Sequence, residues 1–285
     1  MKSTTTANEI DEIIKKALAE DIGESDITTS ATIPDNVKAK GIFIAKQGGV
    51  VTGFDILERI VAIHDSSLVF QRLVADGKKV KANTKVALVK GKASSILTVE
   101  RTSLNFFQRM SGIATLANSY VEKIKQTKTK IIDTRKTAPG LRIIDKLAVK
   151  LGGSENHRMG LYDMFLIKDN HIAVVGSITK AVRLCREYQK QIGKSYKIEV
   201  ETTNIKQIEE ALTAGVDIIM LDNFDIPQLK RAVKLVAGRA KTEASGMITL
   251  DNVKEVAKTG VDFISVGALT HSVKSLDISL DIETE

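Results

Sequence analysis

Ala214-Gly215-Val216-Asp217-Ile218-Ile219-Met220-Leu221-Asp222 and Thr259-Gly260-Val261-Asp262-Phe263-Ile264-Ser265-Val266-Gly267 share one pattern. In each, a glycine is followed by Val-Asp, and an apolar run then ends on Asp222 or Gly267. The glycine suits the left-handed cap that ends a helix, and the apolar run reads as a strand. Two such units come either from an internal repeat or from the ordinary likeness of one αβ unit to another.

The same texture extends in both directions. Strand candidates cover 130–133, 164–167, 197–200, 217–221, 241–244 and 262–266. Helical candidates cover 178–191, 204–214, 226–236 and 250–258, with Gly193, Gly215, Gly238 and Gly260 just past them. Strands alternating with helices imply parallel strands joined by crossover helices. In a parallel βα barrel, ligands bind at the C-terminal strand ends. Here those ends read Thr134-Arg135-Lys136, Lys168-Asp169-Asn170, Glu201, Asp222-Asn223, Ser245-Gly246 and Gly267. Six units are fewer than the roughly eight strands of a full barrel. The expected fold is therefore α/β with an incomplete or distorted parallel barrel.

Before about residue 125 the texture differs. Short strand-like runs at 42–45, 48–51 and 86–89 precede a long helix candidate over 98–125. In that helix Val99, Phe106, Met110, Ile113, Ala117, Tyr120 and Ile124 recur at spacings of three, four or seven. The 285 residues are long enough for about two domains.

Composition narrows the class. The chain is 43% hydrophobic, with no run near the ~18–20 apolar residues of a membrane span. The N-terminus Met1-Lys2-Ser3-Thr4 leads into no apolar stretch, so no secretory signal is expected. A single cysteine, Cys185, rules out a disulfide within the chain and fits a reducing cytoplasm. Its helical neighbours point to packing. The formal net charge of +7 suits either nucleic acid or a small polyanionic substrate. Aromatics at 4%, no tryptophan and the absence of a basic arm favour the small anion.

The strand ends sort by charge. Arg135, Lys136, His157, Arg158 and Lys168 are cationic. Arginine offers a planar fork to a carboxylate and lysine a point charge, so a small dicarboxylate would engage several together. Glu201 and Asp222 are acidic ends of apolar strands. They point to magnesium, which takes one or two carboxylates plus phosphate and water, or else to pairing with Lys136 or Lys168. Glu199 and Glu201 share one strand face. Ser245-Gly246 and Gly267-Ala268 suit an anion approached by backbone N–H groups. No GxxxxGK[ST] loop and no GxGxxG after a strand is present. His64, His171 and His271 read as packing or loop-ordering residues, and no His/Cys spacing suggests zinc.

With these residues in place, the chain resembles the quinolinate phosphoribosyltransferases, from about Leu18 to Leu280. The resemblance rests on Glu20-Asp21-Ile22-Gly23, Glu100-Arg101-Thr102-Ser103-Leu104-Asn105-Phe106, Asp133-Thr134-Arg135-Lys136-Thr137 and Asn156-His157-Arg158-Met159-Gly160. Leu166-Ile167-Lys168-Asp169-Asn170-His171, Glu199-Val200-Glu201, Leu221-Asp222-Asn223, Glu243-Ala244-Ser245-Gly246 and Ser265-Val266-Gly267-Ala268 complete it. It implies an N-terminal α/β sandwich over 1–112, with the tail 273–285 returning to it, and an incomplete barrel over 113–272. It implies transfer of a phosphoribosyl group from phosphoribosyl pyrophosphate to quinolinate, with loss of carbon dioxide. Thr134, Arg135, His157, Arg158 and Lys168 match positions that bind quinolinate. Lys136, Glu201, Asp222, Ser245, Gly246 and Gly267, with the adjoining Met247, Val266 and Ala268, match those around phosphoribosyl pyrophosphate and magnesium. Of these, Lys136, Glu201 and Asp222 are the expected catalytic groups. A homodimer is also implied, with Arg101 of one chain entering the other's site; no nucleic acid and no membrane are expected as partners.

Met247 departs from the family, which often carries a small or amide residue there, so its side chain threatens to crowd the phosphate loop. Two other classes remain: a phosphoribosyltransferase with another acceptor, and a basic RNA-binding protein without turnover. A related group associated with molybdenum uptake is less similar, because Asn156-His157-Arg158 and Lys168-Asp169-Asn170-His171 are intact here.

Overall fold

The computed structural model describes residues 2–284. In chain order the elements are α1 (Lys2–Ile22), α2 (Ile27–Thr32), β1 (Lys38–Ala45), β2 (Gly49–Val51), α3 (Phe54–His64), β3 (Val69–Arg72), β4 (Lys78–Val80), β5 (Thr84–Lys92) and α4 (Ala93–Ile124). Then come β6 (Lys130–Ile132), α5 (Arg142–Leu151), β7 (Phe165–Ile167), α6 (Asp169–Val175), α7 (Ile178–Ile192), β8 (Ile198–Thr202) and α8 (Ile205–Ala214). The chain ends with β9 (Ile218–Asp222), α9 (Ile226–Val236), β10 (Lys241–Ser245), α10 (Val253–Ala257), β11 (Phe263–Ser265), α11 (Ala268–His271) and β12 (Ile278–Thr284).

Two compact units result. The first holds residues 1–118, 137–153 and 270–285; the second holds 119–136 and 154–269. The sequence boundary after residue 112 thus falls inside α4, and α5, which sequence reasoning placed with the barrel, groups with the first unit.

In the first unit, β12, β1, β5 and β3 form an antiparallel sheet in that order. Its buried face, including Phe43, Val86 and Val89, packs on Phe54, Leu57 and Val61 of α3 and on Ile96, Leu104 and Phe107 of α4. Phe107 meets Phe43 edge-on at 6.1 Å and Phe54 at 5.0 Å between ring centroids. Strand β12 brings the C-terminal tail onto β1, from Ala45↔Ile278 to Ala39↔Thr284. One buried ion pair ties α4 to α5: Arg109 donates through Nε and Nη2 to the two carboxylate oxygens of Asp145, each at 2.8 Å.

The second unit is a six-stranded parallel sheet in the order β6-β11-β10-β9-β8-β7. Strands run through the sheet in sequence order, except that β6 and β7, consecutive in the chain, stand at the two edges. This is the winding of a barrel whose seam is open. Residues 154–156 partly fill the seam: Glu155 N donates to Ile131 O at 2.9 Å, and Asp133 N donates to Glu155 O. Helices α7, α8 and α9 bury one stripe each, through Ile178, Ala181 and Val182, through Ile208 and Ala211, and through Leu229, Ala232 and Val236. These are the i, i+3, i+4 spacings of amphipathic helices. Gly215 caps α8 at φ 70°, as the sequence pattern requires. After α9 the left-handed cap is Ala237, with Gly238 following it.

Strand ends differ from the sequence reading in a way that bears on the site. β8, β9 and β10 each run one or two residues further than expected, because their parallel ladders continue to Thr202↔Leu221 and Ser245↔Asp222. Glu201, Asp222 and Ser245 therefore lie within strands and inherit their rigidity.

Candidate active site

A cavity of about 400 Å³ opens at the C-terminal strand ends of the second unit. Strand parity decides what it contains, since residues two apart share a face. On β8 the inward pair is Glu199 and Glu201; on β9 it is Met220 and Asp222; on β10 it is Glu243 and Ser245. Glu201 pairs in register with Met220, and Ser245 with Asp222, so these ends form one rim. Opposite them stand Thr134, Arg135 and Lys136 after β6, Lys168 after β7, and His157 and Arg158 from the loop beside the seam. Leu166, Met220 and Ser265 complete the lining. A larger depression of about 630 Å³ in the first unit, near Asp26, Asp35, His64 and Ser95, is lined by no lysine or arginine among the described residues.

The loop that carries Arg158 is held from its base. Asp133, fully buried at the end of β6, accepts from His157 N at 2.8 Å and from Asn156 Nδ2 at 2.7 Å. Arg158 is buried and donates through Nη1 to Met164 O at 3.1 Å. Burial and the charge of Arg135 press its guanidinium below the usual value, while Glu199 pulls the other way. Two guanidinium groups that repel each other at a half-open cavity suit an anion lying between them. Lys168 Nζ meets Glu201 Oε2 at 3.0 Å, so the internal pairing weighed from the sequence does form. His171 orders the start of α6, its Nδ1 accepting from Lys168 N at 3.0 Å.

At the other side of the cavity, β9 and β10 end in an interlock. Asn223 N donates to Ser245 O at 2.9 Å, and Asn223 Nδ2 donates to Asp222 Oδ2 at 2.7 Å. Gly246, at φ +97°, packs so closely that an added Cβ would stand 2.1 Å from Asn223 Oδ1. Asn223 and Met247 also take left-handed backbone, at φ 58° and 50°. The Met247 side chain is 81% exposed, so it turns to solvent and does not crowd the loop.

Beneath the rim lies a buried cluster. His157 Nε2 stands 3.0 Å from Glu199 Oε2 and 3.4 Å from Glu243 Oε2, and both glutamates are fully buried. His157 Nδ1 accepts the Arg158 amide at 2.7 Å. Burial opposes a proton on His157, and the nearby Glu199 and Glu243 carboxylates favour one, which they draw to Nε2. Burial, then the negative charge of Glu243, raises Glu199. A doubly protonated ring would turn an N–H toward the Arg158 amide, so the geometry fits a ring whose one proton is on Nε2.

The chain is similar to known proteins over nearly its whole length. The family pattern "Quinolinate phosphoribosyl transferase, N-terminal domain" matches residues 26–111, and "Quinolinate phosphoribosyl transferase, C-terminal domain" matches residues 113–281. The chain belongs to the quinolinate phosphoribosyltransferase family. It is 46% identical over 289 aligned residues to "Quinolinate phosphoribosyltransferase [decarboxylating] 1b" of Nicotiana tabacum, covering 96% of this chain and 82% of that one. It is equally similar, at 46% and the same coverage, to "Nicotinate-nucleotide pyrophosphorylase [carboxylating], chloroplastic" of Arabidopsis thaliana. Among solved structures, the nicotinate-nucleotide pyrophosphorylase of Francisella tularensis superposes with a TM-score of 0.92 at 40% identity, over 97% of this chain and 96% of that one.

Within the family frame, most residues picked from sequence meet at the cavity: Thr134, Arg135, Lys136, His157, Arg158 and Lys168 on one side, Glu201, Asp222 and Ser245 on the other. His157 lines the cavity, with Nε2 beside Glu199 and Glu243 and Nδ1 accepting the Arg158 amide. Gly246 and Met247 adjoin the lining through Ser245. Val266 is buried, its N–H donating to Ile132 O at 2.9 Å, and Gly267 and Ala268 lead into α11 beyond the lining residue Ser265. Arg101 is exposed on α4 in the first unit. Sequence reasoning assigned no site role to Glu243, Leu166, Met220 or Ser265. Their signal was the two-residue alternation with Ser245, Lys168, Asp222 and Gly267.

Proposed function

We propose that the protein converts quinolinate and phosphoribosyl pyrophosphate to nicotinate mononucleotide, pyrophosphate and carbon dioxide, a step of NAD biosynthesis. The observation that carries this reading is the division of one cavity into a cationic side, with Arg135, Arg158 and Lys168, and a side of Glu201, Asp222 and Ser245. The cations bind the two adjacent carboxylates, each charge-assisted hydrogen bond contributing about 1.5–3 kcal/mol. Leu166 and Met220 give the pyridine ring an apolar surface. Lys136 balances charge on the phosphates, and Ser245 with the Gly246 backbone receives the ribose phosphate.

Asp222 suits magnesium, and so does Glu201 once the quinolinate carboxylates draw Lys168 away from it. Glu201 and Asp222 sit on adjacent parallel strands and supply the one or two carboxylates it takes, the rest of its shell being phosphate and water. Held by Glu201 and Asp222, it would supply positive charge that offsets the charge of the pyrophosphate. As the bond from the ribosyl carbon to pyrophosphate breaks, the ring nitrogen bonds to that carbon, and Glu201 and Asp222 stabilise its positive charge. Positioning the two reactants accounts for up to roughly 7–11 kcal/mol of barrier. The ring is then a pyridinium and accepts the electron pair as the 2-carboxylate leaves as carbon dioxide; that carbon afterwards takes up a proton.

The same proposal includes a homodimer in which Arg101 of one chain completes the other's site. It is supported by the exposure of Arg101 and by an apolar rim. Leu161 is 73% exposed and Tyr162 75%, just after Arg158, while Met247 lies just after Ser245. A cytoplasmic setting is supported by the lone Cys185; among the described residues no helix is long and apolar enough to cross a membrane. The test is an acceptor panel with phosphoribosyl pyrophosphate and magnesium. Turnover with quinolinate but not with nicotinate is expected; turnover with nicotinate alone would sink the proposal.

A further inference from the structure

Barrel interiors are filled mainly by bulky apolar side chains. Here the layer beneath the cavity carries Glu199 and Glu243, two buried carboxylates on β8 and β10. Each stands two residues below a rim residue, Glu201 or Ser245. Buried charge is unfavourable unless it is paired and hydrogen-bonded, and replacing such groups with apolar ones is often neutral or stabilising. The pair therefore calls for a role other than stability.

The contacts give that role. Both carboxylates converge on His157 Nε2, at 3.0 and 3.4 Å. The opposite ring nitrogen accepts the Arg158 amide at 2.7 Å. An imidazole with its proton on Nε2 has a lone pair on Nδ1, and only that form makes both contacts. The same loop is tied to Asp133 through the His157 N–H and the Asn156 side-chain amide. Arg158 then leaves a loop fixed from β6, β8 and β10 together.

We infer that Glu199 and Glu243 are positioning residues for the dicarboxylate end of the site: together they keep the His157 proton on Nε2, so that Nδ1 takes the Arg158 amide and sets the direction in which Arg158 meets the substrate. The inference deepens the proposed function and rests on its assignment of Arg158 to quinolinate. It concerns acceptors, so a glutamine pair, which still offers side-chain oxygens, should preserve much of the effect, and a leucine pair should abolish it.

The test uses the full-length protein and measures binding of quinolinate alone and of phosphoribosyl pyrophosphate with magnesium by calorimetry. For E199L/E243L, quinolinate binding should weaken about 10- to 100-fold, the range seen when the hydrogen-bond partners behind metal-ligating residues are removed, with phosphoribosyl pyrophosphate binding within about threefold of wild type. E199Q/E243Q should recover most of the quinolinate affinity. Undiminished quinolinate binding in the leucine pair, or equal loss of both substrates, overturns the inference. So does a stoichiometric metal in the wild-type protein that the leucine pair lacks, since the cluster would then be a metal centre. If the leucine pair does not fold, the 15N spectrum of His157 in the wild-type protein decides. A proton on Nε2 alone supports the inference, and a proton on Nδ1, with or without one on Nε2, overturns it. If wild-type protein binds no quinolinate, the functional proposal fails by itself, while the spectrum still tests the tautomer.

Discussion

Replacing Gly246 with alanine sets a methyl group against the side chain that steadies Asp222. Gly246 is at φ +97°, and the added Cβ would lie 2.1 Å from Asn223 Oδ1 and 3.1 Å from Asn223 N. Left-handed backbone costs an L-residue roughly 1–2 kcal/mol, and forced overpacking typically adds about 1–3. Asn223 N is held to Ser245 O at 2.9 Å, so the side chain gives way and its 2.7 Å hydrogen bond to Asp222 is lost. We expect G246A to lose about 3 kcal/mol of unfolding free energy, a fall in Tm of roughly 6–12 °C for a chain of this size. On the proposed assignment, Asp222 loses its orientation. KM for phosphoribosyl pyrophosphate should then rise about tenfold or more, with quinolinate binding nearly unchanged. Thermal unfolding and steady-state kinetics measure both. Adding N223G removes the clash at Oδ1 and places glycine at φ 58°, so the double variant regains part of the stability but not the KM. An unchanged Tm and KM in G246A would rule out this steric conflict, as would a double variant no more stable than the single one.

The Arg109–Asp145 pair has a fully buried carboxylate that also accepts Ala138 N, so D145A should destabilise by about 3–5 kcal/mol in urea unfolding; a loss below about 1 would contradict its burial. Hydrogen bonds from Ser67 and Ser95 hold Asp65 down at about 2, below its ordinary value of 3.8. A lowered carboxylate contributes stability above its unfolded pKa and loses it as pH falls through the folded one. The stability gap between wild type and D65N should therefore be constant above about pH 5 and vanish toward pH 2, and a gap independent of pH would count against it. Mixing inactive R101A with inactive E201A subunits should restore about a quarter of wild-type activity, since half of randomly reassociated dimers carry one intact site. No recovery on mixing contradicts the shared site.

Much of the second unit was legible because parallel βα units print their plan in order: apolar run, polar end, helix, glycine. That made Arg135, Lys168, Glu201, Asp222 and Ser245 readable as strand ends. Strand lengths were less so, since the ladders that carry β8 to Thr202 and β9 to Asp222 depend on neighbours distant in sequence. Helix α5 escaped notice because it follows the site loop closely, and its buried Asp145 and Lys146 break the apolar pattern. The grouping of α5 with the first unit depends on contacts such as Arg109–Asp145, which no spacing reveals. His157 looked like one more cation at the mouth. Its partners Glu199 and Glu243 lie 42 and 86 residues away, so its role as a support for Arg158 is visible only in three dimensions.

On the proposed function, one cavity joins a pyridine dicarboxylate to a phosphoribosyl group and then releases one of the two carboxylates. Quinolinate carrying 13C in the 2-carboxylate or in the 3-carboxylate, turned over with phosphoribosyl pyrophosphate and magnesium, distinguishes the two. Labelled carbon dioxide should come from the 2-carboxylate only, equimolar with pyridine mononucleotide and pyrophosphate. Release of label from the 3-carboxylate, or mononucleotide that retains both carboxylates, would contradict it.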